Sequence, residues 1–272
     1  MSSDPEVERC LSFIRELSGA LSADVATLSA AEWDIVTNCA PWRVRDLVAH
    51  IVSSGEGFAA SIREALQGSQ KQAISHAERD RRQAELVAAD PPTVARELDA
   101  ITAAFTGLYD GLEEDGLSAI GFHRRGNRSV RWFAAHRLAE IAFHVWDYQI
   151  SLGREPMLDE AVALLLLPTL LESNAPRTYA AGLSAEKGNG ERYLLAVADH
   201  PDAQWVVTID PDELTATRSD GPADLAIIGS AAALALLVYG RYDLGSLFQS
   251  GAIRLEGDAA LADRFPAIFP KP

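Results

Sequence analysis

The apolar residues change their period once along the chain, and that change decides what the chain can fold into. From about Pro5 to Gly153 they recur at intervals of three and four without strand-like alternation, whereas past GREP (153–156) short alternating stretches dominate. The first pattern predicts helices over 5–27, 42–67, 73–88, 92–114 and 130–152, punctuated by Pro91-Pro92 and Gly126-Asn127, with one further turn of helix at Ser29-Ala30-Ala31-Glu32. The second predicts an apolar helix over 158–173 and then strands YLLAVAD (193–199), AQWVVTID (203–210), ELTATRS (213–219) and ADLAIIG (223–229). A helix at SAAALALLVYG, a turn at RYDLG, a short strand AIRLEG and a last helix DAALADRF complete the chain. The expected fold class is α+β, with a helical bundle over 1–153, a small α+β domain over 154–272 and a seam near 153–157.

At 272 residues and 48% hydrophobic content, either part can bury a core without staples. A formal charge of -15 opposes phosphate backbones and anionic bilayers, so neither nucleic acid nor a membrane is an expected partner. The basic runs RDRR (79–82) and HRRGNR (123–128) read as solvated faces or loops. Cys10 and Cys39 form no CxxC motif and no disulfide framework, which points to a reducing compartment and hence the cytoplasm. MSSDPEVERC lacks the basic start and apolar core of a leader, and the most apolar run, LLLLPTLL, is shorter than the roughly 18–20 residues that span a bilayer. Charge does not choose between a monomer and a homodimer.

Within HRLAEIAFHVWDY (136–148), His136, Glu140 and His144 fall four residues apart, in a chain with six histidines. Residues four apart on a helix are about 40° apart in projection, so Glu140 and His144 can hold a single ion. His136 lies a further turn back, and the accumulated drift of roughly 80° makes ligation by all three from a straight helix less comfortable. A third ligand should then come from another helix. His50 is the best candidate: Asp46, Ser54 and Gly57 share its stripe, while Leu47, Val48 and Ile51 look inward. Two imidazoles, a carboxylate and an open position are what a catalytic zinc-type site uses. A Glu and a His at this spacing also make an ordinary hydrogen-bonded pair, so the spacing leaves both readings open.

WDIVTNCAPWRVRDLVAH (33–50) has the pattern W-x(8)-W-x-V-x-D-L-x-x-H, and RLAEIAFHVWD (137–147), about ninety residues on, has R-x-x-E-x-x-x-H-x-W-D. In order and spacing these segments resemble the mycothiol-dependent maleylpyruvate isomerase family, which belongs to the DinB-like metal-binding helical bundles. ADLAIIGSAAALALLVYGR (223–241) is similar to a stretch of that family's small, sterol-carrier-like C-terminal domain. The resemblance implies metal ligands at His50, Glu140 and His144, and a catalytic, cosubstrate-binding arginine at Arg241, with Arg254 as the fallback. It implies a divalent metal, zinc first by ligand type, that activates the thiol cosubstrate mycothiol as a metal-bound thiolate. That thiolate would add to, or substitute on, a small electrophile. In an isomerase the thiol adds to the double bond of maleylpyruvate, rotation follows, and elimination gives fumarylpyruvate; in an S-transferase the conjugate is the product.

Two other readings stay open. One is a non-catalytic small-molecule binding protein that uses a pocket in the C-terminal domain, and the other is an interaction bundle with a structural metal. Arg43 stands where members of the family commonly carry a small hydroxyl residue, which predicts a weakened helix cap ahead of Asp46. Asp147 either orients a ligating imidazole or pairs with Arg137 or Arg45, and His136 is an outer partner of the site or structural. Trp42, Trp132 and Trp146 are expected in the core, Cys39 as a small buried residue, and His76, His123 and His200 in polar, loop-like settings.

Overall fold

The computed structural model describes residues 4–270 and divides into two compact units, one ending at Leu158 and one beginning at Asp159. The class is α+β, as the change of period implies.

In the first unit, α1 (Pro5–Val25), α3 (Val44–Leu66), α5 (Pro91–Gly107) and α7 (Val130–Ser151) pack as a four-helix bundle, α1 and α3 each lying against both α5 and α7. The short α2 (Ala30–Trp33) and the longer α4 (His76–Ala88) flank α3, and α6 (Glu114–Ser118) sits beside α7. The helix starts follow local chemistry. Asp4, Ser29, Ser75, Asp90 and Ser129 each cap a helix by accepting from its first-turn N–H groups, and Glu32 and Glu78 close capping boxes. At α3 only half of that device survives: the Arg43 N–H donates to Asp46 Oδ2 at 2.8 Å, and an arginine side chain has no acceptor to return. Arg82 of α4 instead ties α3 to α5 by pairing with Glu56 at 2.8 Å and Glu97 at 2.7 Å.

Helix α5 ends at Gly107 rather than near 114, because the following turn swings Tyr109 inward, where its hydroxyl donates to the Val130 carbonyl at 2.9 Å. The sequence also hides a two-strand hairpin, β1 (Ile120–Gly121) with β2 (Arg128–Ser129), whose strands are too short to show alternation. A Cβ on Gly121 would stand 2.9 Å from the Ser61 carbonyl oxygen, so this hairpin lies against α3 only because the residue is glycine.

At the far end of α7, Asp24 accepts from the Tyr148 hydroxyl at 2.7 Å and pairs with Arg154. Burial pulls the Asp24 carboxyl upward, but the hydrogen bonds from Arg154 and Tyr148 win and hold it below its ordinary value. Asp24 therefore ionises at lower pH in the folded chain than in the unfolded one. Its contribution to stability is complete above the ordinary carboxylate range and is lost as pH falls through the depressed value. Asp24→Asn is expected to lower the urea midpoint at pH 7 and to match wild type once pH is below that depressed value; a pH-independent difference would refute the linkage.

The second unit opens with α8 (Glu160–Pro168), a π-helical turn (Thr169–Asn174) and α9 (Ala175–Ala180) where one helix over 158–173 is expected. Pro168, which has no N–H to donate, marks the junction, and the wider turn carries Glu172, which accepts from Trp205 Nε1 at 2.6 Å. Strands β3 (Glu191–Val197), β4 (Gln204–Ile209), β5 (Leu214–Arg218), β6 (Leu225–Gly229) and β7 (Ile253–Gly257) form one sheet in the order β5-β4-β3-β6-β7. Only the β3–β6 pair is parallel. Trp205, Leu195 and Ile227 fall in one register row and are fully buried, the period-two face that the alternating sequence announces. Helix α10 (Ala231–Val238) packs on β3 and β6, and α12 (Ala259–Ile268) packs on β6 and β7. RYDLG is not simply a turn: Asp243 caps a short helix, α11 (Leu244–Gln249).

Candidate metal centre

Helix α3 presents His50 and helix α7 presents Glu140 and His144. Their ligand atoms all lie within 4.8 Å of one another. Glu140 Oε2 stands 3.2 Å from His50 Nε2 and 3.9 Å from His144 Nε2, so one carboxylate oxygen faces both imidazoles. Three ligands each about 2.0–2.2 Å from one tetrahedral ion stand roughly 3.4 Å apart, and these separations bracket that figure. The donor set of two imidazole nitrogens and one carboxylate oxygen suits a divalent transition ion, zinc among them. Burial alone would push the Glu140 carboxyl up, but the hydrogen bond with His50 and the charges of His136, His50 and His144 hold it well below its ordinary value. The carboxylate is thus ionised and ready to ligate at neutral pH.

The second nitrogen of His144 is also engaged. Its Nδ1 lies 3.1 Å from Asp147 Oδ2, and Asp147 is fully buried. The same carboxylate accepts from Asn38 Nδ2 at 2.9 Å and Cys39 Sγ at 3.2 Å. A proton held on Nδ1 leaves Nε2, the nitrogen facing Glu140, with its lone pair free for a metal. Neither Arg137 nor Arg45 pairs with Asp147 here: Arg45 binds Asp34 at 2.7 Å, and Arg137 reaches across to α3.

Asn38 and Cys39 arrive on the loop before α3. The Val36–Arg43 bridge and the cis Ala40–Pro41 bond fold that loop back, and both the N–H and hydroxyl of Thr37 donate to the Trp42 carbonyl. Trp42 is consequently not a core residue. Half-buried, it lays its indole against His50 with ring centroids 4.8 Å apart and against His144 at 6.2 Å. Cys39 is half-buried rather than buried, and its thiol is spent on Asp147.

His136 lies outside the trio: its Nε2 is 3.7 Å from Glu140 Oε1, the opposite carboxylate oxygen, and its ring stacks on Trp132 at 4.2 Å. His123 does lie in a loop, but the polar setting expected for it is wrong, since it is 9% exposed and packs against Phe58, Trp132 and His136. Trp146 is in the core, as expected, and Trp132 is only half-buried. Arg241 belongs to the second unit, just past α10, where its guanidinium lies 5.2 Å from the Tyr239 ring and its N–H closes the helix on Leu236 O at 2.8 Å. Arg254 is exposed and paired with Glu256 at 2.7 Å. The W-x(8)-W pattern contains Trp42 without showing that it faces the site, and the sequence carries no signal for Asn38 or Cys39 there, because all three reach it through the fold of a loop rather than through helical spacing.

Residues 14–149 match the family described as the mycothiol maleylpyruvate isomerase N-terminal domain, and residues 171–270 match the SCP-2 sterol transfer family. Among solved structures, the chain is similar to the mycothiol-dependent maleylpyruvate isomerase at 17% identity and a TM-score of 0.62, covering 93% of this chain and 94% of that one. A histidine-to-alanine mutant of that enzyme matches with the same figures. At this identity the likeness is one of fold. No curated protein matches the chain significantly. Among the described residues, no helix is long and apolar enough to cross a membrane.

Proposed function

The chain belongs to the mycothiol maleylpyruvate isomerase family, whose N-terminal domain spans half of it, and from that premise we propose that it is a metal-dependent enzyme using a low-molecular-weight thiol, mycothiol, on a small electrophile. The observation that carries the reading is the convergence of His50, Glu140 and His144 from two helices, backed by a buried carboxylate on the outer nitrogen of His144. A divalent metal held by these three, zinc by ligand type, supplies a Lewis acid that favours the thiolate form of a bound thiol at neutral pH. The protein then needs no cysteine nucleophile, consistent with Cys39 being engaged by Asp147 and with burial pushing the Cys10 thiol up to about 12.

The chain's own residues divide the remaining work. Asp147 orients His144, Glu140 presents one oxygen between the imidazoles, and Trp42 covers their flank with an apolar surface. To Arg241 we assign the carboxylate of substrate or cosubstrate, since a guanidinium binds carboxylates through two parallel hydrogen bonds. The reaction is cis-trans isomerisation of a maleylpyruvate-like acid or stable S-transfer. A reducing, cytoplasmic setting suits a reduced thiol cosubstrate.

The SCP-2 match favours one competing reading, a small-molecule carrier built on the second unit. Within that unit, the cavity between Leu237, Leu244, Phe265 and Phe269 measures about 20 Å³, so this position has room for one water and not for an apolar ligand.

Elemental analysis of the purified chain, followed by calorimetric titration with mycothiol, separates the two. The enzyme reading expects close to one equivalent of metal and thiol binding that disappears on chelation. A chain that stays empty after reloading, or that binds thiol equally well without metal, would sink it.

A further inference from the structure

Arg137 is fully buried, yet it has no carboxylate partner within salt-bridge distance among the described residues. Burial depresses its pKa to about 10, with Glu140 pulling the other way. Its Nη1 crosses from α7 to α3, donating to the Ile51 carbonyl at 2.7 Å and to Ser54 Oγ at 3.1 Å. Ser54 Oγ in turn donates to the same carbonyl at 3.2 Å, closing a triangle on the backbone next to His50. Two of its nitrogens, Nε and Nη2, have no hydrogen-bond partner among the described residues. A guanidinium buried in this way is a net cost to folding, so stability alone does not explain it.

The surroundings are shaped to admit it. A Cβ on Gly55 would meet Arg137 Nη2 at 2.8 Å and Cζ at 2.9 Å, and Ile101 of α5 at 3.1 Å. Glycine is a poor helix former, and α3 carries two of them, but a Cβ on Gly57 would touch nothing within 4 Å. Space therefore demands glycine only at the place where the guanidinium crosses.

We propose that Arg137 is the positioning residue that sets His50 against Glu140 and His144, clamping α3 to α7 one residue beyond His50 and one turn before Glu140, with Gly55 providing its passage. The inference rests on the metal reading above. Two helices supply the ligands, and a slide of one past the other by a fraction of an ångström changes both the separation and the aim of the donor atoms. Apolar packing alone resists such slides weakly, whereas a buried hydrogen bond to a carbonyl fixes the register. The guanidinium never touches the ion, and as a cation it would by charge alone weaken metal binding.

The test is cobalt(II) titration of the full chain, read by its visible absorption, for wild type, Arg137→Met, Arg137→Lys and Gly55→Ala, with thermal melts of the metal-free proteins. Arg137→Met is expected to weaken cobalt binding by about tenfold or more and to alter the intensity of the cobalt bands, while the metal-free bundle still melts cooperatively. Arg137→Lys keeps the charge but not the reach of the fork and falls between. Gly55→Ala, which displaces the guanidinium without removing it, weakens binding in the same direction. Combining it with Arg137→Met adds little further loss, because both changes break one contact.

Should Arg137→Met fail to fold, Gly55→Ala and Arg137→Lys decide the matter. Variants that bind cobalt with wild-type affinity and spectrum, or more tightly as loss of a nearby cation predicts, overturn the positioning role and leave the metal centre standing. A wild-type chain that takes up no cobalt overturns the metal reading, and the role of Arg137 with it.

Discussion

Glu140→Ala is expected to reduce the metal content of the purified chain from near one equivalent to background, and His50→Ala to do the same, with the bundle still folded in both. Glu140 contributes the oxygen that faces both imidazoles, at 3.2 Å from His50 Nε2 and 3.9 Å from His144 Nε2. Its removal leaves two imidazole donors on different helices and no carboxylate ligand. His50 is the sole contribution of α3, so its loss leaves only Glu140 and His144, one turn apart on α7. The fold should tolerate both changes. The Glu140 side chain is 16% exposed and that of His50 is 30% exposed, and neither anchors the apolar seam built from Leu47, Val48, Ile51, Leu138 and Ile141. Elemental analysis beside circular dichroism reads both effects. Either variant retaining a full equivalent would mean that the ion sits elsewhere. A binding protein using its second unit, by contrast, would bind its ligand unchanged in both.

Asp147→Ala is expected to weaken metal binding by about 10–100-fold and also to destabilise the metal-free chain. The two effects share one cause. The carboxylate is fully buried and accepts from His144 Nδ1, Asn38 Nδ2 and Cys39 Sγ, at 3.1, 2.9 and 3.2 Å. Deleting it removes the acceptor that fixes the tautomer and tilt of His144 and takes an anchor from the loop carrying Trp42. Of these donors only that of His144 is buried, and leaving it unsatisfied costs about 1–3 kcal/mol, whereas the exposed Asn38 amide can turn to water. Asp147→Asn keeps the shape but turns an NH₂ toward groups that donate, so a loss of similar sign and smaller size is expected. Metal titration and urea midpoints measured on the same samples check both variants. A fall in stability with unchanged metal affinity would reduce Asp147 to a loop anchor.

Helical periodicity locates α1, α3, α4 and α7 to within a few residues, and the start but not the end of α5, since amphipathic period and caps such as Asp4, Ser75, Asp90 and Ser129 are local properties. The strands are legible for a similar reason: β3, β4 and β6 each alternate about one buried face. What escaped were elements too short to carry a period, namely α6, β1, β2, α9 and α11, and the π-helical turn after Pro168, whose hydrogen-bond register leaves no compositional mark.

At the candidate site the division is sharper. Spacing along α7 by itself puts Glu140 and His144 on one face, because i and i+4 neighbours are dictated by helix geometry. Nothing local joins His50 to them across ninety residues; its polar stripe on a predicted helix makes it the best candidate and the resemblance supports it, but only the packing of α3 against α7 brings it within reach. The approach of Trp42, the carboxylate shared by Asn38, Cys39 and His144, and the crossing of Arg137 past Gly55 come from tertiary structure alone. The sequence determines, by itself, the elements and the residues that each face presents, since those follow from backbone geometry and short-range chemistry. Only the tertiary structure decides which faces meet, because that choice depends on close packing between segments far apart in the chain, which no local pattern records.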